Sequence, residues 1–303
     1  FDDGADTAKA AALAHAADVA IVMVSDSERE GSDHPISLAG NQDELVPAVA
    51  AANPHTVVVV KSGSAVLMPW VDKVPAILEA WYPGEEDGNA VAAVLFGDRN
   101  PSGKLPLTFP KNLTDTFAKT PEQYPGVAGT VRYSEGVFVG YRYYDAQNIA
   151  PLFPFGHGLS YTGFSYKNLK ISPGEVILNS KLMNGKLNPA LSIDLDVSNT
   201  GSVAGAEVVQ LYLGMPSTAE VPQPPKQLKG FQKVNLKPRE KAHVHLVLDG
   251  RSLSYWDTKT HGWAIAPGAY EIMVGSSSRD IRLQGEIKVK TGAEEHSSGQ
   301  HMN

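Results

Sequence analysis

Residues 80–91, with the sequence AWYPGEEDGNAV, form the stretch around which the chain is organised. A short apolar run, residues 75–81, leads into it, and the Pro83-Gly84 dipeptide then breaks both strand and helix. Three carboxylates follow the break, and from about Asn89 the apolar residues recur at helical spacing. The pattern therefore predicts a strand, a turn and a helix. It puts the carboxylates at the carboxyl end of a parallel strand, which is where the functional sites of open α/β sheets lie.

The three carboxylates have two possible roles. Acidic residues are favoured in the first turn of a helix, because free backbone N–H groups and the helix dipole stabilise their negative charge. Glu85, Glu86 and Asp87 could all serve in this way, and the stretch taken alone favours capping over catalysis. The rest of the chain has to decide between the two roles.

Helices and strands alternate through the first hundred residues. Strands are predicted at 18–24, 56–61 and 74–81, and helices at 5–17, 42–52 and 89–96. The first two strands are continuous apolar runs, which is typical of parallel strands covered by helices on both faces. This order indicates an α/β layered domain with a mainly parallel sheet.

The second half of the chain has a different character. Proline and glycine interrupt a connector at about residues 99–130, and the aromatic block 133–145 alternates like a strand. After about Phe164, short alternating runs separated by turns predict an antiparallel β-sandwich. We therefore expect an α/β domain at 1–162 and an all-β domain at 163–290. Residues 291–303 are small and polar, which predicts a disordered tail.

Composition excludes several classes of protein. The chain has 303 residues, 42% hydrophobic and 19% charged, so it should fold into sizeable cores. Its net charge of −7 argues against a nucleic-acid partner, because binding to phosphates requires a basic surface on the protein. No apolar run approaches the roughly 20 residues of a membrane helix. The chain has no cysteine, which excludes disulfides and catalysis by a thiolate. The chain opens without methionine, so we expect a piece of a longer protein.

Several motifs taken together resemble glycoside hydrolase family 3, the β-glucosidase and β-xylosidase group. The motifs of the first half are EGSD at 30–33, PSGKLPLTF at 101–109, YSEG at 133–136, GYRYYD at 140–145 and PFGHGLSY at 154–161. Those of the second half, NTG at 199–201, VVQLY at 208–212 and LKGF at 228–231, resemble the fibronectin type III-like module that ends many such enzymes. The resemblance spans about residues 5–290. It implies an α/β sandwich domain followed by an all-β fibronectin type III-like sandwich.

The resemblance also implies a reaction and a partner domain. Enzymes of this family carry an aspartate nucleophile on an N-terminal barrel, and we find no barrel in this chain. Their general acid/base glutamate often lies just after a Pro-Gly turn, and the matching residue here is Glu86. The implied reaction is hydrolysis of a terminal β-linked sugar with retention, glucose being the favoured sugar. Glu85 and Asp87 stay with the capping role.

The chemistry explains why a glutamate is needed at this place. Retaining glycosidases use two carboxyl groups about 5–5.5 Å apart, one as nucleophile and one as acid/base. The acid must keep its proton at the working pH, which requires burial or a neighbouring negative charge. A position at a helix N-terminus has the opposite effect, because the helix dipole stabilises the ionised carboxylate. We therefore expect Glu86 to receive burial or like charge from outside this chain.

The loop at 25–35 is a second candidate site. Ser27, Glu28, Arg29 and Asp33 could hydrogen-bond sugar hydroxyls at the lip of a pocket, or could belong to a solvated loop with local charge pairs. Family members often have arginine after this aspartate, whereas this chain has His34-Pro35. That departure leaves both interpretations open.

The remaining candidates favour structural roles. His157 lies between two glycines and is expected to be a buried structural histidine. Tyrosines in an alternating aromatic run are more often core residues than a sugar platform. The histidines show no metal-ligand spacing, and we expect no metal and no cofactor. The expected partners are a β-glucoside or oligosaccharide and the barrel domain, with no nucleic acid and no membrane. The rival hypothesis is a non-catalytic binding or scaffold module of a carbohydrate-active protein.

Overall fold

The computed structural model describes residues 1–178 and 191–291. The chain forms two compact units. Unit 1 comprises Phe1–Arg99, Leu107–Ser134 and Ile149–Phe153. Unit 2 comprises Asn100–Pro106, Glu135–Asn148 and Pro154–Asn303. Unit 2 therefore includes segments on both sides of residue 162, where a domain boundary is predicted, and that boundary stays a prediction. The tail predicted to be disordered lies outside the described residues from 292 onward.

Unit 1 is built on a three-stranded parallel sheet. Its elements are α1 (Thr7–His15), β1 (Ala20–Ser25), α2 (Gln42–Ala52), β2 (Thr56–Lys61), β3 (Ala76–Glu79) and α3 (Asp87–Leu95). The sheet has the order β1-β2-β3, with Ala20 opposite Thr56 and Val57 opposite Ala76. A helix between β1 and β2 returns the chain to the same end of the sheet, which is what parallel pairing requires. The predicted parallel α/β layout is confirmed.

The core of unit 1 is formed by its central strand. Val58, Val59 and Val60 of β2 are fully buried. Trp70 is also buried, and its indole N–H donates a hydrogen bond to Asp43 at 2.9 Å. Such a bond satisfies the polar end of an otherwise apolar side chain.

Strand β1 differs from the prediction on one face. The continuous apolar run predicts burial on both faces. Instead, buried and exposed residues alternate along β1, and Ile21 and Met23 are 47% and 51% exposed. The prediction was wrong because no helix of the described chain covers this face of β1. An apolar strand face without a cover is typical of a surface that packs on further polypeptide.

Unit 2 contains a β-sandwich of two sheets. Its strands are β4 (Phe164–Ser172), β5 (Glu175–Leu178), β6 (Leu191–Asn199), β7 (Gly205–Gly214), β8 (Gln227–Leu236), β9 (Lys241–Leu248), β10 (Tyr255–Asp257), β11 (Gly262–Ala264), β12 (Gly268–Gly275) and β13 (Ile281–Thr291). One sheet has the order β5-β13-β12-β7-β8 and the other has the order β4-β6-β9. Strands β10 and β11 form a separate hairpin. Pairing is antiparallel except between β13 and β5.

Alternation along the strands builds the sandwich core. In β6, Leu191, Ile193, Leu195 and Val197 are buried, while the residues between them are partly exposed. Side chains of β7, β12 and β13 meet them in one contiguous apolar cluster. This is the expected arrangement when two sheets pack face to face, and it confirms the predicted β-rich domain.

The aromatic block 133–145 does not form the predicted strand. Its second part forms the short helix α4 (Tyr141–Ala146), which begins after Gly140, a glycine with φ of +54°. Tyr141 and Tyr144 are three residues apart and so share the buried face of the helix. The Tyr141 ring stacks on Phe155 at 4.7 Å. The core role predicted for these tyrosines therefore holds, although the strand prediction was wrong.

Gly158 occupies a place where a side chain does not fit. A Cβ atom at this position would lie 2.2 Å from the carbonyl oxygen of Gly103. We expect Gly158→Ala to lower the free energy of unfolding by about 1–3 kcal/mol, because backbone would have to move. Gly103→Ala is the matched control, since nothing lies within 4 Å of its added Cβ. Urea unfolding of both variants checks this, and equal stability of the two would contradict it.

Candidate active site

The polar residues that follow the three parallel strands meet at one edge of the sheet. Asp26 comes after β1, Gly63 after β2 and Tyr82 after β3. The backbone N–H of Gly63 donates to Asp26 at 3.2 Å, and the Tyr82 hydroxyl donates to the other oxygen of the same carboxylate. This hydrogen bond raises the pKa of the Tyr82 phenol. Parallel strands bring these loops together because their carboxyl ends share one edge.

The chain leaves β3 through an unusual turn. Trp81 has φ of +55°, a left-handed conformation that is rare for a bulky residue. Its backbone N–H donates to the Glu79 carboxylate at 2.9 Å, and its ring contacts the buried Phe109. These contacts hold a conformation that the backbone alone disfavours. Gly84, with φ of +76°, then starts a turn of 3₁₀ helix that ends at Glu86.

Glu86 lies at the beginning of α3, and its side chain is exposed. It occupies the N-cap position, but its carboxylate makes no capping hydrogen bond to the helix. Instead, one oxygen accepts a hydrogen bond from the Asn89 side chain at 2.5 Å. The side chain is thus open to solvent and available to a ligand.

The neighbouring carboxylates have different surroundings. Asp87 forms an ion pair with Lys61 at the end of β2, which ties the start of α3 to the sheet. Glu85 is exposed. Asp87 is therefore held by its ion pair with Lys61, whereas Glu86 is exposed and accepts a hydrogen bond from Asn89.

The four loop residues predicted for substrate binding have two kinds of surroundings. Glu28 pairs with His34 at 3.1 Å, and this hydrogen bond raises the pKa of His34. Asp33 accepts a hydrogen bond from the Tyr124 hydroxyl, which raises the pKa of that phenol. Ser27 and Arg29 are exposed. Glu28 and Asp33 are therefore engaged in contacts with other side chains of unit 1, and Ser27 and Arg29 face solvent.

Glu28 also has an oxygen that is not satisfied by the protein. Its Oε2 atom is buried and has no hydrogen-bond partner among the described residues. It faces Gly63 so closely that a Cβ there would lie 2.5 Å away. A buried carboxylate oxygen without a hydrogen-bond donor lowers the stability of the folded chain.

Sequence reasoning missed three residues of this edge, namely Asp26, Glu79 and Tyr82. Burial raises the pKa of the Glu79 carboxyl from 4.5 to about 7, partly offset by its hydrogen bond from Trp81. The signal was present, because Glu79 is the one carboxylate inside the apolar run 75–81. Asp26 and Tyr82 gave no such signal, since only folding brings them together.

The described residues offer neither a metal site nor a membrane-spanning helix. Among residues 1–178 and 191–291, no group of three or more His, Asp or Glu side chains is arranged to hold a metal ion. In the same part of the chain, no helix has the length and apolar character needed to cross a bilayer. His157 is partly buried, and burial lowers its pKa.

Comparison with known proteins identifies the family of both parts of the chain. Residues 3–161 match the Glycosyl hydrolase family 3 C-terminal domain, and residues 207–278 match the Fibronectin type III-like domain. The chain is 43% identical to a β-glucosidase of Rhizobium radiobacter, over 93% of this chain and 34% of that protein. It is also 43% identical to the thermostable β-glucosidase B of Acetivibrio thermocellus, over 92% of this chain and 36% of that protein.

Solved structures give the same result. DesR, a β-glucosidase from Streptomyces venezuelae solved with D-glucose, matches 93% of this chain and 35% of its own, with a TM-score of 0.86 and 42% identity. A family 3 β-glucosidase from Bifidobacterium adolescentis matches with a TM-score of 0.84 and 38% identity, over 93% of this chain and 40% of its own. This chain thus spans little more than a third of these relatives. It belongs to glycosyl hydrolase family 3, as the C-terminal domain followed by a fibronectin type III-like domain.

Proposed function

We propose that the chain is part of a retaining β-glycosidase, with β-glucosidase favoured, that hydrolyses terminal non-reducing β-linked sugars. In this proposal Glu86 is the general acid/base. The observation that supports it best is the position of Glu86, which is exposed at the carboxyl edge of a parallel sheet and makes no capping hydrogen bond. A carboxyl group placed in this way can reach the glycosidic oxygen of a bound sugar.

The second carboxyl group belongs to another part of the protein. Retention requires a nucleophile about 5–5.5 Å from the acid/base. We place this aspartate on an N-terminal barrel outside these 303 residues. The relatives support this placement, because the chain matches only 34% of the Rhizobium enzyme and 35% of DesR. The barrel would also cover Glu86 and so keep its acid form populated at the working pH.

The loop after β1 supplies the substrate contacts of this proposal. Ser27, Glu28, Arg29 and Asp33 carry donors and acceptors suited to sugar hydroxyls. The unsatisfied buried Oε2 of Glu28 supports this role most directly, because a hydroxyl donor would complete its hydrogen bonding. The exposed side chains of Ser27 and Arg29 can rearrange around a ligand.

We expect the 303-residue chain alone to give no turnover of an aryl β-glucoside. It lacks the nucleophile, so a covalent glycosyl intermediate cannot form. The measurement compares the purified chain with the same chain joined to, or mixed with, a barrel from a close relative. Activity in the joined or mixed sample alone supports the proposal. Turnover by the isolated chain, or no turnover in any combination with a folded barrel, would contradict it.

A further inference from the structure

A cavity of about 340 Å³ lies within unit 2, and we call it the unit 2 cavity. Part of its wall comes from the segments 104–105 and 156–158, which are joined by two backbone hydrogen bonds of 2.8 Å. The rest comes mainly from Glu207 of β7 and from the turn at 276–280 between β12 and β13. The backbone of unit 2 therefore sets the shape of the cavity.

Two oppositely charged side chains line the cavity with little access to solvent. The side chains of Lys104 and Glu207 are 12% and 5% exposed, and the Lys104 ammonium lies 3.4 Å from Oε1 of Glu207. The same Oε1 accepts a hydrogen bond from the Tyr166 hydroxyl at 3.0 Å. A buried charge is tolerated when it is paired and its remaining hydrogen bonds are made. The pairing is present here, so the remaining hydrogen bonds decide what the cavity can hold.

Neither charged group makes all of its hydrogen bonds within the described chain. The Oε2 atom of Glu207 accepts no hydrogen bond from residues 1–178 and 191–291. The Lys104 ammonium donates one hydrogen bond, to the carbonyl oxygen of Gly158 at 2.8 Å, although it has three N–H groups. Buried polar groups in proteins normally have partners. The cavity therefore presents an acceptor and a donor, close together, to a molecule inside it.

The charges that line the cavity are mixed in sign. Besides Lys104 and Glu207, the lining includes Arg279, Asp280 and Arg282, and Asp280 pairs with Arg282 at 2.8 Å. An anion in the cavity would meet two carboxylates, and a cation would meet an ammonium and two guanidinium groups. Like charges brought together are unfavourable in a site of low solvent access. The lining is therefore suited to a neutral ligand with hydroxyl groups.

The remaining lining supplies further polar groups and some apolar surface. Burial, followed by the charge of Lys104, lowers the pKa of His157, so its imidazole is neutral near pH 7 and has one donor and one acceptor nitrogen. Phe164 and Pro154 add apolar surface. A pyranose matches this mixture, because it carries hydroxyl groups at its edge and C–H groups on its faces. The volume of about 340 Å³ also lies in the range of small-molecule sites, roughly 300–1,000 Å³.

We propose that the unit 2 cavity binds a neutral monosaccharide, with Oε2 of Glu207 accepting a hydrogen bond from one hydroxyl group and the Lys104 ammonium donating to an adjacent one. The site goes beyond the proposed hydrolysis, because neither Glu86 nor the loop at 25–35 lines it. Glu207 is the first residue that matches the Fibronectin type III-like domain. The proposal thus gives this part of the chain a sugar site of its own.

The test titrates the ¹⁵N-labelled 303-residue chain with glucose and follows the backbone amides by NMR. We expect saturable shifts at amides that line the cavity, those of Gly158, Gly163 and Ser277. Absence of saturable shifts at these amides would overturn the site. Shifts confined to unit 1, for example at Gly84, would report binding at the proposed substrate edge alone and would also overturn the site in unit 2.

Charged sugars test the expected neutrality of the ligand. Glucuronate and glucosamine keep the pyranose ring and add one negative or one positive charge. At constant ionic strength, each should bind to the cavity about tenfold more weakly than glucose, because its charge meets lining groups of the same sign. Binding of either charged sugar as tightly as glucose would contradict the proposal.

The variant Glu207→Gln localises the response. It replaces one carboxylate oxygen by an amide donor and should weaken glucose binding about tenfold, as expected for one lost charged hydrogen bond. Its amide oxygen can still accept from the Tyr166 hydroxyl, so that contact is kept. Glu286→Gln removes an exposed carboxylate from β13 and is the matched control. Equal glucose affinity of the two variants would overturn the assignment. If Glu207→Gln does not fold, the amide shifts of the unmodified chain decide by themselves.

Discussion

Glu86→Ala is expected to lower the rate of hydrolysis of alkyl β-glucosides by about 10²–10⁴-fold in the enzyme that contains both this chain and its barrel. An alkoxide leaves poorly without a proton, so loss of the acid slows formation of the glycosyl intermediate. A dinitrophenolate leaves readily without one, and then the base-assisted attack of water limits the rate. For such substrates KM should also fall, because the intermediate accumulates.

Azide distinguishes catalysis from a structural effect. It attacks the intermediate without help from a base, so it should restore turnover of the dinitrophenyl substrate by Glu86→Ala and yield a β-glucosyl azide. Glu85→Ala is the matched control, since it removes an exposed carboxylate one residue away. We expect its rates to stay within twofold of the unmodified enzyme. If Glu86→Ala left the kinetics unchanged, the scaffold hypothesis would replace the acid/base proposal.

Glu79→Gln is expected to stabilise the chain above pH 7 by about 2 kcal/mol and to leave it unchanged near pH 4.5. The carboxyl of Glu79 is partly buried, and its pKa rises from 4.5 in the unfolded chain to about 7 in the folded one. Between these values the folded state keeps a proton that the unfolded state has lost. The free energy of unfolding therefore falls as pH rises through this window and is constant above it.

The magnitude follows from the size of the shift. One pKa unit corresponds to about 1.4 kcal/mol, and the full shift is reduced here because solvent reaches part of the side chain. Glutamine keeps an oxygen for the 2.9 Å hydrogen bond from the Trp81 N–H, so the turn should be retained. Urea unfolding at pH 4.5, 6 and 8 measures the difference, with Glu122→Gln as an exposed control. A stabilisation that did not depend on pH would contradict the assigned cause.

Sequence periodicity was most reliable where packing and local preference agree. The helix at 42–52 and the strand at 56–61 were predicted with the bounds that the structure shows. Prediction failed at the aromatic block, because Tyr141 and Tyr143 fit strand alternation whereas Tyr141 and Tyr144 fit one helical face. The choice was made by Gly140, which starts α4, and by the stacking of Tyr141 on Phe155. That contact joins residues that are distant in sequence and could not be read from spacing.

The candidate site, like the fold, was predictable from the sequence only in part. The Pro83-Gly84 turn places Glu86 between a strand and a helix, and the motif resemblance singles out the same residue. The pairing of Glu28 with His34 and of Asp33 with Tyr124 was not foreseen. Tyr124 lies 91 positions from Asp33, so no local pattern could connect them.

The sequence by itself determined the order of elements, the parallel sheet, the β-sandwich and the position of the carboxylate turn. These features depend on local periodicity and on turn residues, which act over a few positions. The tertiary structure decided which carboxylates are paired and why the carboxyl of Glu79 has a raised pKa. Charge and burial depend on neighbours from remote parts of the chain, so they exist only once the chain has folded.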